Sequence, residues 1–157
     1  MRNRGSRLDP ISEYRSAQQA LRVLFQPFTA EHCPTCRTPC CRKPARIQPL
    51  DLILLETLIS PNPVPPGAVE RAAGEWLESA AAAADPDLGP CEFLTGTGCR
   101  FPGDLRPLGC TAFICQPMRS RLSAESLDAL IVGVGRVEAA HVRLAESLGL
   151  GGGAESA

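Results

Sequence analysis

Cys33-Pro34-Thr35-Cys36-Arg37-Thr38-Pro39-Cys40-Cys41 places four cysteines in one short stretch between two segments of helical pattern. A second group follows further along the chain, at Cys91, Cys99, Cys110 and Cys115. Thiolates are the soft ligands that zinc and iron–sulfur clusters prefer, and the chain has only 2 histidines as other strong donors. The cysteines therefore predict a metal centre set among irregular loops.

Composition favours a metal centre over a disulfide framework. Cysteine accounts for 8 of the 157 residues, a lower share than the roughly 8–10% typical of disulfide scaffolds. A chain of this length buries a core without covalent links. The basic N-terminus is followed by no apolar segment, so no secretory signal is predicted. We expect a reducing, cytoplasmic location, with disulfides or free thiols as the alternative.

Charge and hydropathy exclude two classes of partner. The formal net charge is -1 and the basic residues are dispersed, so binding to a nucleic acid backbone is not indicated. The longest apolar stretch, residues 50–59, is too short to cross a bilayer and contains Asp51 and Glu56. No membrane span is predicted.

Apolar periodicity predicts three helices before the second cysteine group. The first covers residues 10–28 and starts at Asp9 and Pro10. The second lies near residues 49–60, and the third near 68–84 with Trp76 in the core. The first two carry these apolar faces: Tyr14, Leu21, Leu24, Phe25 and Phe28, then Leu50, Ile53, Leu54, Thr57 and Leu58. Glycines and prolines in residues 91–117 favour turns, with a short hairpin around Cys99.

The fourth helix is predicted in residues 119–148, with Ser123 or Ser126 as N-cap. It carries a heptad-like seam formed by Leu127, Leu130, Val134, Val137, His141, Leu144 and Leu148. We favour a helix that lies on the domain, with a protein partner or a homodimer through this C-terminal helix as the alternative. His141 is predicted to be a partly buried, hydrogen-bonded histidine. Residues 149–157 are predicted to be disordered.

The cysteine spacings differ in what they indicate. Cys33 and Cys36 form a Cys-x-x-Cys knuckle that can hold one ion, whereas a thioredoxin-like redox pair would need βαβ surroundings that the pattern lacks. Cys40 and Cys41 are adjacent, so their side chains are expected to point apart. Either they serve two different metals, or one of them is a spectator or faces a substrate. His32 is expected to be a flanking surface residue. Six basic residues near the cysteines are expected to balance thiolate charge: Arg37, Arg42, Lys43, Arg46, Arg100 and Arg106.

Several motifs together resemble a known family. They are Cys40-Cys41, the helix opening at residues 46–52, Cys91-Glu92-Phe93-Leu94, Gly98-Cys99, residues 106–110 and Cys115. This pattern resembles the YkgJ-like, or CxxCxxCC, family of zinc- or iron-chelating domains, over roughly residues 30–118. The resemblance implies a small cysteine-rich domain whose eight cysteines are ligands of a metal that is not settled for the family.

The predicted fold is mainly α, a small cysteine-rich metal-binding domain with irregular loops framed by about four helices. Residues 1–30 form an N-terminal helix on the core, 31–118 the cysteine-rich domain, and 119–148 the C-terminal helix. An iron–sulfur cluster or iron is the expected cofactor, with zinc as the alternative. An accessory or sensor module is the favoured function. The alternatives are an iron-dependent redox or protein- or peptide-modifying enzyme, and a purely structural zinc domain.

Overall fold

A computed structural model describes residues 9–36, 47–62, 64, 66–68, 70, 91, 93–95 and 98–150. This part of the chain is mainly helical, as the sequence predicts. Along the chain the elements are α1 (Pro10–His32), a 3-10 helix (Cys33–Thr35), α2 (Pro49–Leu58), β1 (Leu94–Thr95), β2 (Gly98–Cys99), α3 (Leu108–Thr111), α4 (Gln116–Arg121) and α5 (Ala124–Ser147).

The long helices α1 and α5 form the main packing pair of the fold. Each begins at a predicted cap: the Asp9 carboxylate accepts from the Ser12 N–H at 3.3 Å, and the Ser123 hydroxyl accepts from the Ser126 N–H at 3.2 Å. α1 continues past the predicted end at residue 28 to His32, and Pro27 does not interrupt it.

The predicted seam of α5 faces α1 within the chain. Leu130, Val137 and Leu144 are buried in one core with Leu21 of α1, while Leu127 and Val134 pack at its margin. The prediction that this helix lies on the domain is therefore confirmed. Leu148 is the exception, because it follows the last helical residue and is 45% exposed.

The first core also contains most of the predicted face of α1. Tyr14 and Phe28 are buried, and Phe25 packs at the margin. The assignment of Leu24 to the buried face was wrong, because its side chain is 44% exposed. Leu24 lines a groove on the outer side of the α1–α5 contact, so the buried stripe of α1 is narrower than the apolar pattern.

Helix α2 lies between two cores. Leu50 and Leu54 belong to the first core, whereas Leu52 and Leu55 belong to a second core that contains Phe93 and Phe101. The predicted one-sided face of α2 was therefore incomplete. Thr57, which was assigned to that face, is exposed and donates its hydroxyl to the carbonyl of Ile53 at 2.7 Å.

The second cysteine group contains more regular structure than predicted. The hairpin around Cys99 is confirmed, since β1 and β2 pair antiparallel with Leu94 opposite Cys99. Residues 108–111 and 116–121, predicted as turns, are the short helices α3 and α4. α3 follows Pro107, and Pro117 lies in the first turn of α4, where a missing N–H costs no helical bond.

Two predicted segments lie wholly or largely outside the described residues. The predicted helix near 68–84 is described only at Ala68 and Glu70, which are helical, and Trp76 is not described. In the predicted tail, residues 149–150 are described: Gly149 has a φ of 73°, and the Leu150 N–H donates to the Ala145 carbonyl at 2.9 Å, which closes α5. Residues 151–157 lie outside the described part.

Candidate metal centre

The Cys33–Cys36 knuckle is formed at the carboxyl end of α1. The Cys36 N–H donates to the Cys33 carbonyl at 3.2 Å, so the two residues are joined by a tight turn. The Cys33 residue is exposed and Cys36 is half-buried. Because the last carbonyls of a helix carry partial negative charge, this end of α1 attracts a cation and does not stabilise an isolated thiolate. The knuckle is therefore better suited to a bound metal ion than to a free nucleophilic thiolate.

His32 is fixed beside the knuckle by two neighbours. Its ring lies 4.3 Å from the ring of Phe28, centre to centre, and its Nδ1 is 3.4 Å from a guanidinium nitrogen of Arg121 at the end of α4. The second contact joins the first cysteine group to the helix that starts after Cys115. His32 flanks the knuckle as predicted, but it is half-buried and packed on Phe28, whereas a surface position was expected.

Cys91 and Cys99 are brought together by a turn and a hairpin. The Leu94 N–H donates to the Cys91 carbonyl at 2.9 Å, and Leu94 is the pairing partner of Cys99. Both cysteines are half-buried against the second core, in which the Phe93 and Phe101 rings lie 4.8 Å apart. This hairpin is the one that the sequence predicts around Cys99.

Cys110 and Cys115 have different surroundings. Cys110 lies exposed within α3, and its N–H donates to the Pro107 carbonyl at 2.9 Å. Cys115 is the N-cap of α4 and packs at the margin of the first core. Phe113 and Ile114 are the two bulky apolar residues between these cysteines. Only Ile114 is buried, whereas Phe113 is 51% exposed.

Asp51 connects the segment that follows the first cysteine group to the segment that contains Cys110. One carboxylate oxygen accepts from the Gln48 N–H at 2.8 Å, and the other accepts from the Leu108 N–H at 3.2 Å. The residue is only 2% exposed, and burial raises the pKa of its carboxyl group to about 7, although both hydrogen bonds lower it. Sequence reasoning missed this role, although an aspartate two residues after Pro49 was a signal for a helix cap.

Gln18 is a buried polar residue that contacts Tyr14 of the first core. The Gln18 amide donates to the Tyr14 hydroxyl at 2.8 Å and to the Arg106 carbonyl at 2.7 Å. Burial, followed by the charge of Asp51, raises the pKa of Tyr14, while the bond from Gln18 lowers it. These contacts attach the segment before Cys110 to α1.

His141 packs against Tyr14, with their ring centres 5.6 Å apart. The expectation that it would be hydrogen-bonded was wrong for one nitrogen: its buried Nε2, like the Gln18 Oε1, has no partner among the described residues. Burial also lowers the pKa of His141. The ring is therefore held as a neutral, largely apolar component of the core.

The predicted metal ligands lie partly within and partly outside the described residues. Within the described residues, no three histidine, cysteine, aspartate or glutamate side chains are grouped in a way that could hold a metal ion. Cys40 and Cys41 lie outside these residues, as do the predicted counterions Arg37, Arg42, Lys43 and Arg46. Cys36, Cys99 and Cys115 form no disulfide in the part of the chain that the structure describes.

No family model, curated protein or solved structure matches this chain. Among the described helices, none is both long and apolar enough to cross a membrane.

Proposed function

We propose that the chain is a cysteine-rich metal-binding protein that acts as an accessory or sensor module, with an iron–sulfur cluster, iron or zinc as its metal. The carrying observation is that two cysteine pairs have backbone turns that keep their members near each other: Cys33 with Cys36, and Cys91 with Cys99. Such pre-formed pairs lower the entropy cost of gathering thiolates around one ion. The resemblance to the zinc- or iron-chelating family supports the same assignment.

The position of the knuckle favours metal binding over dithiol chemistry. Redox-active Cys-x-x-Cys pairs gain a stable thiolate from the positive end of a helix. Here Cys33 and Cys36 follow the carboxyl end of α1, where the helix dipole has the opposite sign. Two thiolates with one divalent cation carry no net charge, so the metal-bound pair is not repelled by this helix end as a free thiolate is. A cytoplasmic location, in which thiols remain reduced, belongs to this proposal.

Burial of the three described groups whose pKa values are shifted favours an accessory or sensor role over an enzyme. Asp51 and His141, whose pKa values are shifted, are only 2% and 7% exposed, and Tyr14 is 1% exposed. A general acid or base has to reach a substrate proton within hydrogen-bonding distance. Asp51 instead joins the start of α2 to the start of α3, and Tyr14 and His141 pack α1 against α5.

The test is to purify the full chain without oxygen, record its visible spectrum, and count iron, zinc and acid-labile sulfide per chain. We expect a stoichiometric metal content. A brown protein with sulfide assigns an iron–sulfur cluster, whereas a colourless protein with zinc assigns zinc as the metal, since zinc has no visible chromophore.

Two substitutions at the end of α1 provide a matched comparison. Cys33→Ser removes one proposed ligand, and Ala30→Ser adds a hydroxyl at an exposed position one turn earlier without removing a thiol. We expect the first to lower the metal content and the second to leave it unchanged. A wild-type chain that contains no metal and has all eight thiols reactive would overturn the proposal.

A further inference from the structure

The outer side of α5, away from the seam, carries exposed apolar side chains. Ile131 and Val132 are 49% and 54% exposed, although both lie in the middle of a long helix. Beside Val132, a groove of about 410 Å³ runs along the contact between α1 and α5. We call it the outer groove. Its walls include the small residues Ala17, Ala20, Ala129 and Gly133.

Two opposite charges border this groove at equal distances from Val132. Asp128 precedes Val132 by four residues and Arg136 follows it by four, so both lie on the same side of α5, about 6 Å from Val132 along the axis. Both are exposed, and neither forms an ion pair with another described residue. They are about 12 Å apart along the helix, too far for a direct pair with each other.

This arrangement is complementary to itself under a two-fold rotation. An axis through Val132 and perpendicular to α5 places the helix of a second copy antiparallel to the first. Asp128 then lies opposite the partner's Arg136, and Arg136 lies opposite the partner's Asp128. Reciprocal contacts of this kind are what a two-fold interface requires. The same rotation covers both copies of Val132.

The small residues on this face allow two helices to approach closely. Ala129 and Gly135 lie three residues before and after Val132, so the rotation also places them opposite each other. A Cβ built on Gly135 meets no atom within 4 Å, which means that the surface above it is open. Close approach brings the apolar side chains and the opposite charges of the two copies into contact.

We propose that the partner of this face is a second copy of the chain, joined through an antiparallel α5–α5 contact centred on Val132. The contact differs from the heptad seam, whose residues are buried against α1. It leaves the cysteine segments outside the interface and is independent of the metal proposal.

Sedimentation equilibrium of the full chain over a range of concentrations tests the dimer. We expect a mass that approaches twice the 16.7 kDa of one chain. Asp128→Arg and Arg136→Asp each place like charges opposite each other, which weakens association by about tenfold or more. The double variant Asp128→Arg/Arg136→Asp restores opposite charges and should recover the wild-type dissociation constant to within about threefold.

An apolar control pair separates the interface from general effects of charge. Val132 and Val142 are both 54% exposed on α5, but Val142 lies ten residues from the proposed axis. Val132→Asp should give a monomer, whereas Val142→Asp should still dimerise. Circular dichroism checks that each variant keeps its helices.

Three results would overturn the proposal. The first is a wild-type chain that stays monomeric at all concentrations, because a second copy then does not occupy the groove. The second is a double charge variant as weak as either single one. The third is a Val142→Asp variant that behaves like Val132→Asp.

Discussion

The carboxylate of Asp51 accepts a hydrogen bond from the backbone N–H of Leu108, 57 residues further along the chain, at 3.2 Å. Its other oxygen caps α2 by accepting from the Gln48 N–H at 2.8 Å. One buried side chain therefore holds the start of α2 against the start of α3, which carries Cys110.

Removal of the Asp51 carboxylate should destabilise the fold strongly. Asp51→Ala leaves two N–H groups without their acceptor in a buried region, at a cost of about 2–4 kcal/mol. Glu56→Ala is the matched control, because Glu56 is an exposed carboxylate on the same helix whose one hydrogen bond to a described residue is a 3.3 Å contact with Asn62. Urea unfolding should show a loss of less than about 0.5 kcal/mol for the control. Equal midpoints for the two variants would mean that the Asp51 contacts do not hold the elements together.

Asp51 should also make the stability of the fold depend on pH. Its pKa is raised from 3.8 to about 7 in the folded chain, so the folded state retains a proton that the unfolded state releases. The stabilisation from the bound proton is complete below pH 3.8 and is lost as the pH rises to about 7. A shift of this size corresponds to roughly 4 kcal/mol.

Asp51→Asn removes this titration and retains one acceptor oxygen. From pH 4 to pH 7 the wild type should therefore lose unfolding free energy relative to Asp51→Asn. Above pH 7 the difference between the two proteins should stay constant. A difference that stays constant across the whole range contradicts the raised pKa. Glu56→Gln serves as the control and should follow the wild-type curve.

His141 should also make the stability of the fold depend on pH, in the acidic range. Burial lowers its pKa below 6.5 in the folded chain, so its neutral form favours folding and stability is lost as the pH falls below 6.5. His141→Leu keeps an apolar side chain in the core and removes the titration. The variant should lose less stability on acidification than the wild type, measured by urea unfolding at pH 7 and pH 5. A larger loss in the variant would show that the histidine is not held neutral.

The long helices could be predicted because each has one apolar stripe and a local cap. Asp9 and Ser123 start α1 and α5, and both caps are visible in the sequence. The burial of α2 could not be predicted in the same way. Its apolar residues occupy two sides because it separates two cores, and periodicity assumes only one.

The structure of the cysteine segments could also be predicted only in part. The hairpin at Cys99 follows from local turn signals. Pro107 and Pro117 were interpreted as helix breakers, although they lie at the starts of α3 and α4. The contact between Asp51 and Leu108 depends on tertiary folding, which no local pattern encodes. Sequence therefore identifies the candidate ligands, whereas their relative placement requires the structure.

If the metal-binding proposal holds, Cys91 and Cys99 should act as one pair. The turn and hairpin that connect them through Leu94 give both the same surroundings at the second core. Cys91→Ser and Cys99→Ser should therefore lower the same metal equivalent by the same amount, and the double variant should lose no more than either single one. Metal analysis of the anaerobically purified proteins measures this. Additive losses would assign the two cysteines to different ions.

Gly133 and Gly135 should differ in how alanine changes the stability of the fold. A Cβ on Gly133 would lie 2.8 Å from Cδ1 of Leu21, which is buried between α1 and α5, whereas a Cβ on Gly135 meets nothing within 4 Å. Both exchanges gain about 1 kcal/mol in helix propensity. Gly135→Ala should therefore stabilise the monomer, and Gly133→Ala should be less stable than Gly135→Ala by the overpacking cost, about 1–3 kcal/mol. Urea unfolding at low protein concentration measures both, and equal stabilities would contradict a close α1–α5 contact at Gly133.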